Sequence, residues 1–429
     1  MKILLVHYRY FLSGGPESYL FKLQELLTRH GHEVLILSSE DPRNRPCAQA
    51  GYFVGSRGGD VKFRNIRLTP GNVLRLLKGA FYNPEAARNL SRLIDDERPE
   101  AVLVLQQINL LSPSVFIAAK RKGLRVVHRL SDYNLFCPRF DFLRQRKTCE
   151  RCLSGSRWNA VRYRCVHGSA AASFIRVLSM VVHQLLRAFD RIDTFVVTNR
   201  FMERKLLESG VAPKRIRCIP TFIDFSGIQP TYRHDGYVLL LGRFSMEKGP
   251  DYAVEAMAHL RDLDLNLVVT GSLEEDESGV IARLIQAHHL QDRVTFSGFV
   301  EGAEWSRLIG NALCVLCPAI VYDNLPNTIP EAFAHGKPVI ASNHGCFPEV
   351  IEPDRTGLLF EPKNSRDLAR QIRRLYSEPG LAEQMGRNAR QTCEREFAPE
   401  IHLRRLLAAL QGEPEPADPS GRDGAEDRS

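Results

Sequence analysis

Tyr322-Asp323-Asn324-Leu325-Pro326-Asn327-Thr328-Ile329-Pro330-Glu331-Ala332-Phe333-Ala334-His335-Gly336-Lys337-Pro338-Val339-Ile340-Ala341-Ser342 reads as a loop, a short helix and a strand. Apolar runs of strand length occupy 312–317 ahead of it and 338–342 at its end, so 322–336 is expected to cross over between two parallel strands. Thr328 suits an N-cap, Pro330 the first turn, where a missing N–H costs nothing, and Gly336 the helix stop. Ligands of open α/β sheets gather at such crossovers. The N–H groups of Asn327 to Ile329 at the helix start suit a phosphate. Asp323 and Glu331 flank this pole, and carboxylates accept hydrogen bonds from hydroxyls, so the ligand indicated is a polyol that carries phosphate, such as a nucleotide sugar.

Upstream, Leu241-Gly242-Arg243-Phe244-Ser245-Met246-Glu247-Lys248-Gly249-Pro250 follows another apolar run, 237–241. Arg243 offers two donors to phosphate oxygens, Lys248 a point charge, and the helix opening at Gly249 a further set of N–H groups. Such a group would stabilise a departing nucleoside diphosphate, on which negative charge grows as the glycosidic bond breaks.

The quoted stretch resembles the E-x7-E signature of the retaining glycosyltransferases of family 4, with Asp323 standing where the first glutamate usually is. Leu241 to Pro250 is similar to the same family's G-R-x-x-x-x-K-G pattern. The resemblance implies the GT-B fold: two Rossmann-like, doubly wound α/β domains facing each other across a cleft. It further implies that Asp323 touches donor sugar hydroxyls, Asn327 and Thr328 the diphosphate, and Glu331 the ribose. Gly14 and Gly15, in Leu12-Ser13-Gly14-Gly15-Pro16-Glu17 after the first strand, would face the cleft. Gly271 and the loop Gly298-Phe299-Val300 end further strands on the donor side, the latter packing on the nucleobase.

The rest of the chain is consistent with that plan. Its 429 residues, 44% apolar and 25% charged, suit two or three globular domains. Alternating strand-like and helical stretches place a first domain over 1–220, a linker at 221–235, and a second domain over 236–397. A closing helix over 398–412 would return to the first domain. After it, 413–429 holds acids, Pro, Gly and Ser without large apolar residues, and disorder is expected there. No run is long and apolar enough to span a bilayer and the N-terminus reads as a strand, so a cytoplasmic location is expected, with peripheral attachment to the inner face of the plasma membrane as its extension. The net charge of +8 points to an anionic partner.

The proton-transfer group is less well specified. Relatives in the resembling family carry a His-Asp pair after a first-domain strand. Here Val127-His128-Arg129-Leu130-Ser131-Asp132 aligns Ser131 with that histidine, while His128 stands three residues earlier. Serine cannot do an imidazole's protonation work at neutral pH. Either His128 takes it over or the diphosphate itself receives the acceptor's proton. No cofactor is expected for catalysis.

Cys137, Cys149, Cys152 and Cys165 form C-x11-C-x2-C-x12-C, a spacing that suits a structural zinc, the alternative being four free thiols. Between Cys137 and Gly168 eight Arg or Lys stand against two acids. An apolar-faced helix over 173–189 follows, with Arg176, His183 and Arg187 read as its polar side. Basic residues beside such a helix suit a dock on an anionic membrane, the alternative being a core helix beside a solvated patch. No recognition motif for nucleic acid is present. The function expected is transfer of a hexose from a UDP- or GDP-sugar to a glycan or glycolipid with retention of configuration, in cell-surface polysaccharide or glycolipid synthesis. A nucleotide-sugar epimerase of the same fold and a catalytically silent nucleotide-sugar-binding protein are the alternatives.

Overall fold

The computed structural model describes residues 1–55, 79–108, 110–242, 244–271, 276 and 278–416. Two six-stranded parallel sheets dominate. The first is built from β1 (Lys2–His7), β2 (Glu33–Leu37), β3 (Ala101–Gln106), β4 (Arg125–Arg129), β7 (Thr194–Val197) and β8 (Ile216–Cys218), in the order β2-β1-β3-β4-β7-β8. A small hairpin, β5 (Leu143–Arg144) and β6 (Lys147–Thr148), sits in the insertion between β4 and β7. The second sheet has β9 (Tyr237–Leu240), β10 (Asn266–Val269), β11 (Val294–Phe296), β12 (Val315–Cys317), β13 (Val339–Ser342) and β14 (Gly357–Phe360), in the order β11-β10-β9-β12-β13-β14. This is the GT-B architecture.

The period of two along each strand sorts the side chains into layers. On β1, Ile3 and Leu5 face one core with Leu20, Leu23 and Leu27 of the helix Gly15–Arg29, whereas Leu4 and Val6 face the other with Leu90, Leu93 and Phe116. Both faces are covered by helices, which is why these strands are apolar throughout rather than alternating. Strand order reverses between β1 and β3 and again between β9 and β12. The loops that leave β1, β9 and β12 therefore open at the two topological switch points, where an open α/β sheet leaves a crevice.

The helix Pro399–Gln411 crosses back to the first sheet. Leu403, Leu406 and Ala409 join the core of Ile3 and Leu5, and Arg125 Nε donates to the Ala409 carbonyl at 2.9 Å. His402 is buried between Tyr19 and Pro220: its Nε2 lies 2.9 Å from the Tyr19 hydroxyl and its Nδ1 2.7 Å from the Pro220 carbonyl. The tail expected to be disordered lies, from residue 417 onward, outside the described residues.

Candidate active site

The loop after β12 and the helix Thr328–Ala334 form one wall of the cleft. Their position is fixed from the opposite domain. Asn324 Nδ2 donates to the Leu130 carbonyl at 2.9 Å, while its Oδ1 accepts from Thr198 Oγ1 at 2.6 Å and from Asn199 Nδ2 at 3.0 Å. The amide thus bridges the ends of β4 and β7 with three hydrogen bonds. Tyr322 packs its ring on Phe201, 4.7 Å between centroids, and on Phe142.

Two glycines of other segments lie against this helix. A Cβ on Gly15 would lie 3.5 Å from Asn327 Nδ2, and one on Gly242 would lie 3.8 Å from Thr328 Cγ2. Helices from opposite domains, beginning at Gly15 and Thr328, therefore meet start to start. The cleft helix differs from expectation at its cap. Asn327 is the capping residue, without a side-chain cap bond, and Thr328 Oγ1 turns instead to Cys317 Sγ at 3.7 Å.

Lys248 ends a short turn, Met246–Lys248, and its ammonium forms an ion pair with the Asp323 carboxylate. The turn is held there by Gly249, whose φ of +74° favours glycine and whose added Cβ would overlap the Pro318 carbonyl oxygen. Glu331, on the same helix one turn from its start, is set into the domain interface. Burial pushes its carboxyl up to about 7, offset in part by the Lys22 ammonium and a hydrogen bond from Trp305. Lys22 Nζ, from the first domain, is 3.9 Å from Glu331 Oε1. Tyr19, Lys22, Phe222, Asn327, Pro330 and Glu331 line a narrow pocket at this point. A carboxyl poised near neutrality beside a lysine can accept hydrogen bonds from vicinal hydroxyls once it is ionised.

The other predicted donor-side residues are placed as follows. Gly271 (φ +103°) and Gly298 (φ +71°) pair with each other through two 2.9 Å backbone hydrogen bonds, which brings the ends of β10 and β11 together. Phe299 is 84% exposed whereas Val300 is buried, so of that pair only Phe299 presents a free surface. Gly14 is extended and carries no strain. Arg243 lies outside the described residues.

His128 does not reach the cleft. It shares the face of β4 with Val126, points into the core with Phe116 and Phe195, and donates from Nδ1 to the Val104 carbonyl at 2.8 Å. Burial holds its pKa down at about 4, so the ring is neutral and shut away from any substrate. The pleat explains the correction: a residue one step from a strand end still takes the face its register dictates.

The four cysteines of the insertion, read as a structural zinc site or as four free thiols, lie near one another. Cys152 is pushed up to about 12 by burial and by the neighbouring Cys137, Cys165 and Cys149, so the four thiols share one region. Among the described residues, however, no group of three or more His, Cys, Asp or Glu side chains is disposed to hold a metal.

Sequence reasoning missed Asn324, Lys22 and Trp305. Asn324 stood inside the quoted stretch, and an amide in a Pro-bounded loop at a cleft was its only signal. Lys22 becomes visible only once the domains face each other, and Trp305 only once the second domain folds its helix onto Glu331.

This architecture defines the class, a GT-B glycosyltransferase fold. Residues 14–221 match the family described as Glycosyl transferase 4-like domain, and residues 224–392 match Glycosyl transferases group 1. The two matches take in both halves, and by family the chain is a GT-B glycosyltransferase of the family 4 type. Among curated proteins it is similar to alpha-D-kanosaminyltransferase of Streptomyces kanamyceticus, 32% identical over 154 residues, 35% of this chain and 39% of that protein. The chain spans less than half the length of that relative and of the other curated relatives it matches. Sucrose-phosphate synthase of Thermosynechococcus elongatus shares the fold with a TM-score of 0.68 at 20% identity, over 96% of this chain and 97% of that one. Alr3699/HepE of Anabaena, solved in complex with UDP, does so with a TM-score of 0.67 at 16% identity, over 96% and 100%.

Proposed function

We propose that the protein transfers a hexose from a UDP- or GDP-sugar to a hydroxyl of a glycan or glycolipid, with retention of anomeric configuration. The observation that carries this reading is the ion pair between Lys248 and Asp323 beside the start of the cleft helix. A pyrophosphate entering there would draw the ammonium to itself, and Asp323, relieved of its partner, would turn to the sugar hydroxyls. Glu331 would hold the ribose and the exposed ring of Phe299 the base. From the sequence, Arg243 would add a second cation for the departing diphosphate. With His128 buried in the core, the proton of the acceptor hydroxyl would pass to the leaving phosphate oxygen on the same face of the sugar, which is the route that retains configuration.

A UDP-bound neighbour of the same fold favours uridine as the first nucleotide to try. The test is a thermal-shift comparison of UDP, GDP and ADP, followed by incubation with the matching radiolabelled sugar nucleotide, with and without membrane glycolipid extract. Label moving to the acceptor, with the anomeric configuration kept by NMR, is the expected result. Conversion of the free sugar nucleotide to its epimer without acceptor would instead assign an epimerase, and tight binding without any turnover would assign a silent binding protein.

A further inference from the structure

The helix Ala170–Leu185 carries apolar residues on its outer as well as its inner side, unlike an ordinary surface helix. Its inner face buries Val177 and Met180 together with polar groups. Ser173, Ser179 and His183 are buried, His183 Nε2 lies 3.0 Å from the Phe81 carbonyl, and Arg176 Nη2 donates to the Asn134 carbonyl at 3.1 Å. The outer face is apolar. Phe174 and Ile175 are exposed, Leu178, Val181 and Val182 are half-buried, and Leu185 is 77% exposed, with Leu186 just beyond. Trp158, 46% exposed on the neighbouring segment, lies against Phe174 with ring centroids 5.7 Å apart and widens the stripe. Scattered apolar residues on a surface need no explanation, but a continuous stripe does.

The rim of this stripe is cationic. Arg151, Arg162, Arg164, Arg187 and Arg191, in the segments directly before and after the helix, are all exposed, and of these only Arg187 has an acid partner among the ion pairs described, Asp190. Against a second copy of the same patch, a two-fold contact would set these arginines against one another. Against an anionic bilayer, the same arginines meet phosphate while Phe174, Leu185 and Trp158 enter the boundary between headgroups and acyl chains.

We propose that this outward face of the helix Ala170–Leu185, with Trp158, docks the protein on an anionic lipid surface. The dock lies close to the chemistry. Arg176, on the buried side of the helix, holds Asn134 in the loop whose Leu130 carbonyl accepts from Asn324 in the cleft wall. A hydroxyl carried by a lipid would thus meet the cleft without the protein leaving the surface.

The test uses the full chain and vesicles, without any transfer reaction, so its outcome is independent of the proposed activity. Co-sedimentation is measured with vesicles rich in phosphatidylglycerol and with vesicles of phosphatidylcholine alone. Binding to the first at least about tenfold stronger than to the second, weakened by high salt and lost in Phe174→Ser/Leu185→Ser, is the expected result. Those substitutions lie on the solvent side, and an unchanged melting temperature checks that they fold. In the unaltered protein, phosphatidylglycerol with brominated acyl chains should quench Trp158, while Trp305, half-buried in the other domain, serves as the reference. Equal partition onto both vesicle types, no quenching of Trp158, or a dimer that dissociates in the double variant while vesicle binding is unchanged would each overturn the proposal.

Discussion

The ammonium of Lys248 rests on the carboxylate of Asp323, joining the turn after β9 to the loop after β12 across the switch point of the second sheet. Neither side chain is fully enclosed, at 35% and 18% exposure, so the pair can open to a ligand without unfolding its surroundings. The two partners should respond differently to substitution. Lys248→Ala removes a charge-assisted contact to phosphate and is expected to weaken UDP or GDP binding by about 1.5–3 kcal/mol, roughly ten- to a hundredfold, by calorimetry. Asp323→Asn frees the lysine, so nucleotide affinity should hold or rise while sugar transfer falls. Equal losses of nucleotide affinity in both variants would contradict this division of labour.

Glu331 sets a pH dependence of unusual sign. Its folded pKa of about 7 stands above the ordinary glutamate value of 4.5, so the folded state binds the proton more tightly. Its contribution is therefore fully present below about pH 4.5 and is lost as pH rises through 7. Glu331→Gln should be the more stable protein at pH 8, by up to about 3 kcal/mol, and should show no advantage at pH 4.5. Denaturant melts of both proteins at the two pH values provide the comparison. The same variant should bind nucleoside diphosphate more weakly at pH 8, where the wild-type carboxylate can hold ribose hydroxyls.

Buried histidines act in the other direction. His7 and His128 are both held down at about 4 by burial, so the unfolded chain takes up their protons first as pH falls from 6.5. Stability should decline between pH 6.5 and about 4, and His128→Leu should flatten that slope. Because the ring never meets substrate, His128→Leu is also expected to keep kcat within about twofold at temperatures below its melting point, even with about 1–3 kcal/mol of stability lost. A collapse of kcat in a folded His128→Leu would return the residue to the reaction.

Asn324 is the next test. Its amide meets Leu130, Thr198 and Asn199 together, so Asn324→Ala leaves two donors and a carbonyl without their partner at the domain boundary. A loss of about 1–3 kcal/mol is expected. Amide hydrogen exchange should quicken at 130–134 and 198–201, and KM for the donor should rise more than kcat falls. Unchanged exchange there would show that the bridge is dispensable.

Much of this molecule was legible in its sequence, for a reason that applies to the strands above all. A sheet covered on both faces writes itself as short apolar runs, and the runs at 2–7, 194–197 and 357–360 coincide with β1, β7 and β14. Strand ends were less legible: in the run from 312 the strand begins only at Val315, although Leu313 and Cys314 already hydrogen-bond to Tyr237 and Leu239 of β9. Motif glycines were readable where the backbone demands them, as at Gly242, with its φ of +111°, and at Gly249, whose added Cβ would overlap the Pro318 carbonyl oxygen. What the sequence hid was orientation. His128 looked like a strand-end residue on offer to a ligand, and register turned it inward. Arg176 and His183 looked like the solvent side of their helix, and hydrogen bonds to Asn134 and Phe81 drew them into the interior. Partners distant along the chain, such as Lys22 and Glu331, leave no local periodicity to detect.

The return of Pro399–Gln411 to the first sheet means that the chain passes between the domains twice, once around Thr221 and once near Ala398, and the two crossings run side by side, since the Ile223 N–H donates to the Phe397 carbonyl at 3.0 Å. A pair of adjoining tethers resists twisting more than bending. Opening should therefore follow a single hinge line through Ile223 and Phe397, parting the ion pair that Arg146 of the first domain makes with Asp251 of the second far more than the pocket beside Tyr19.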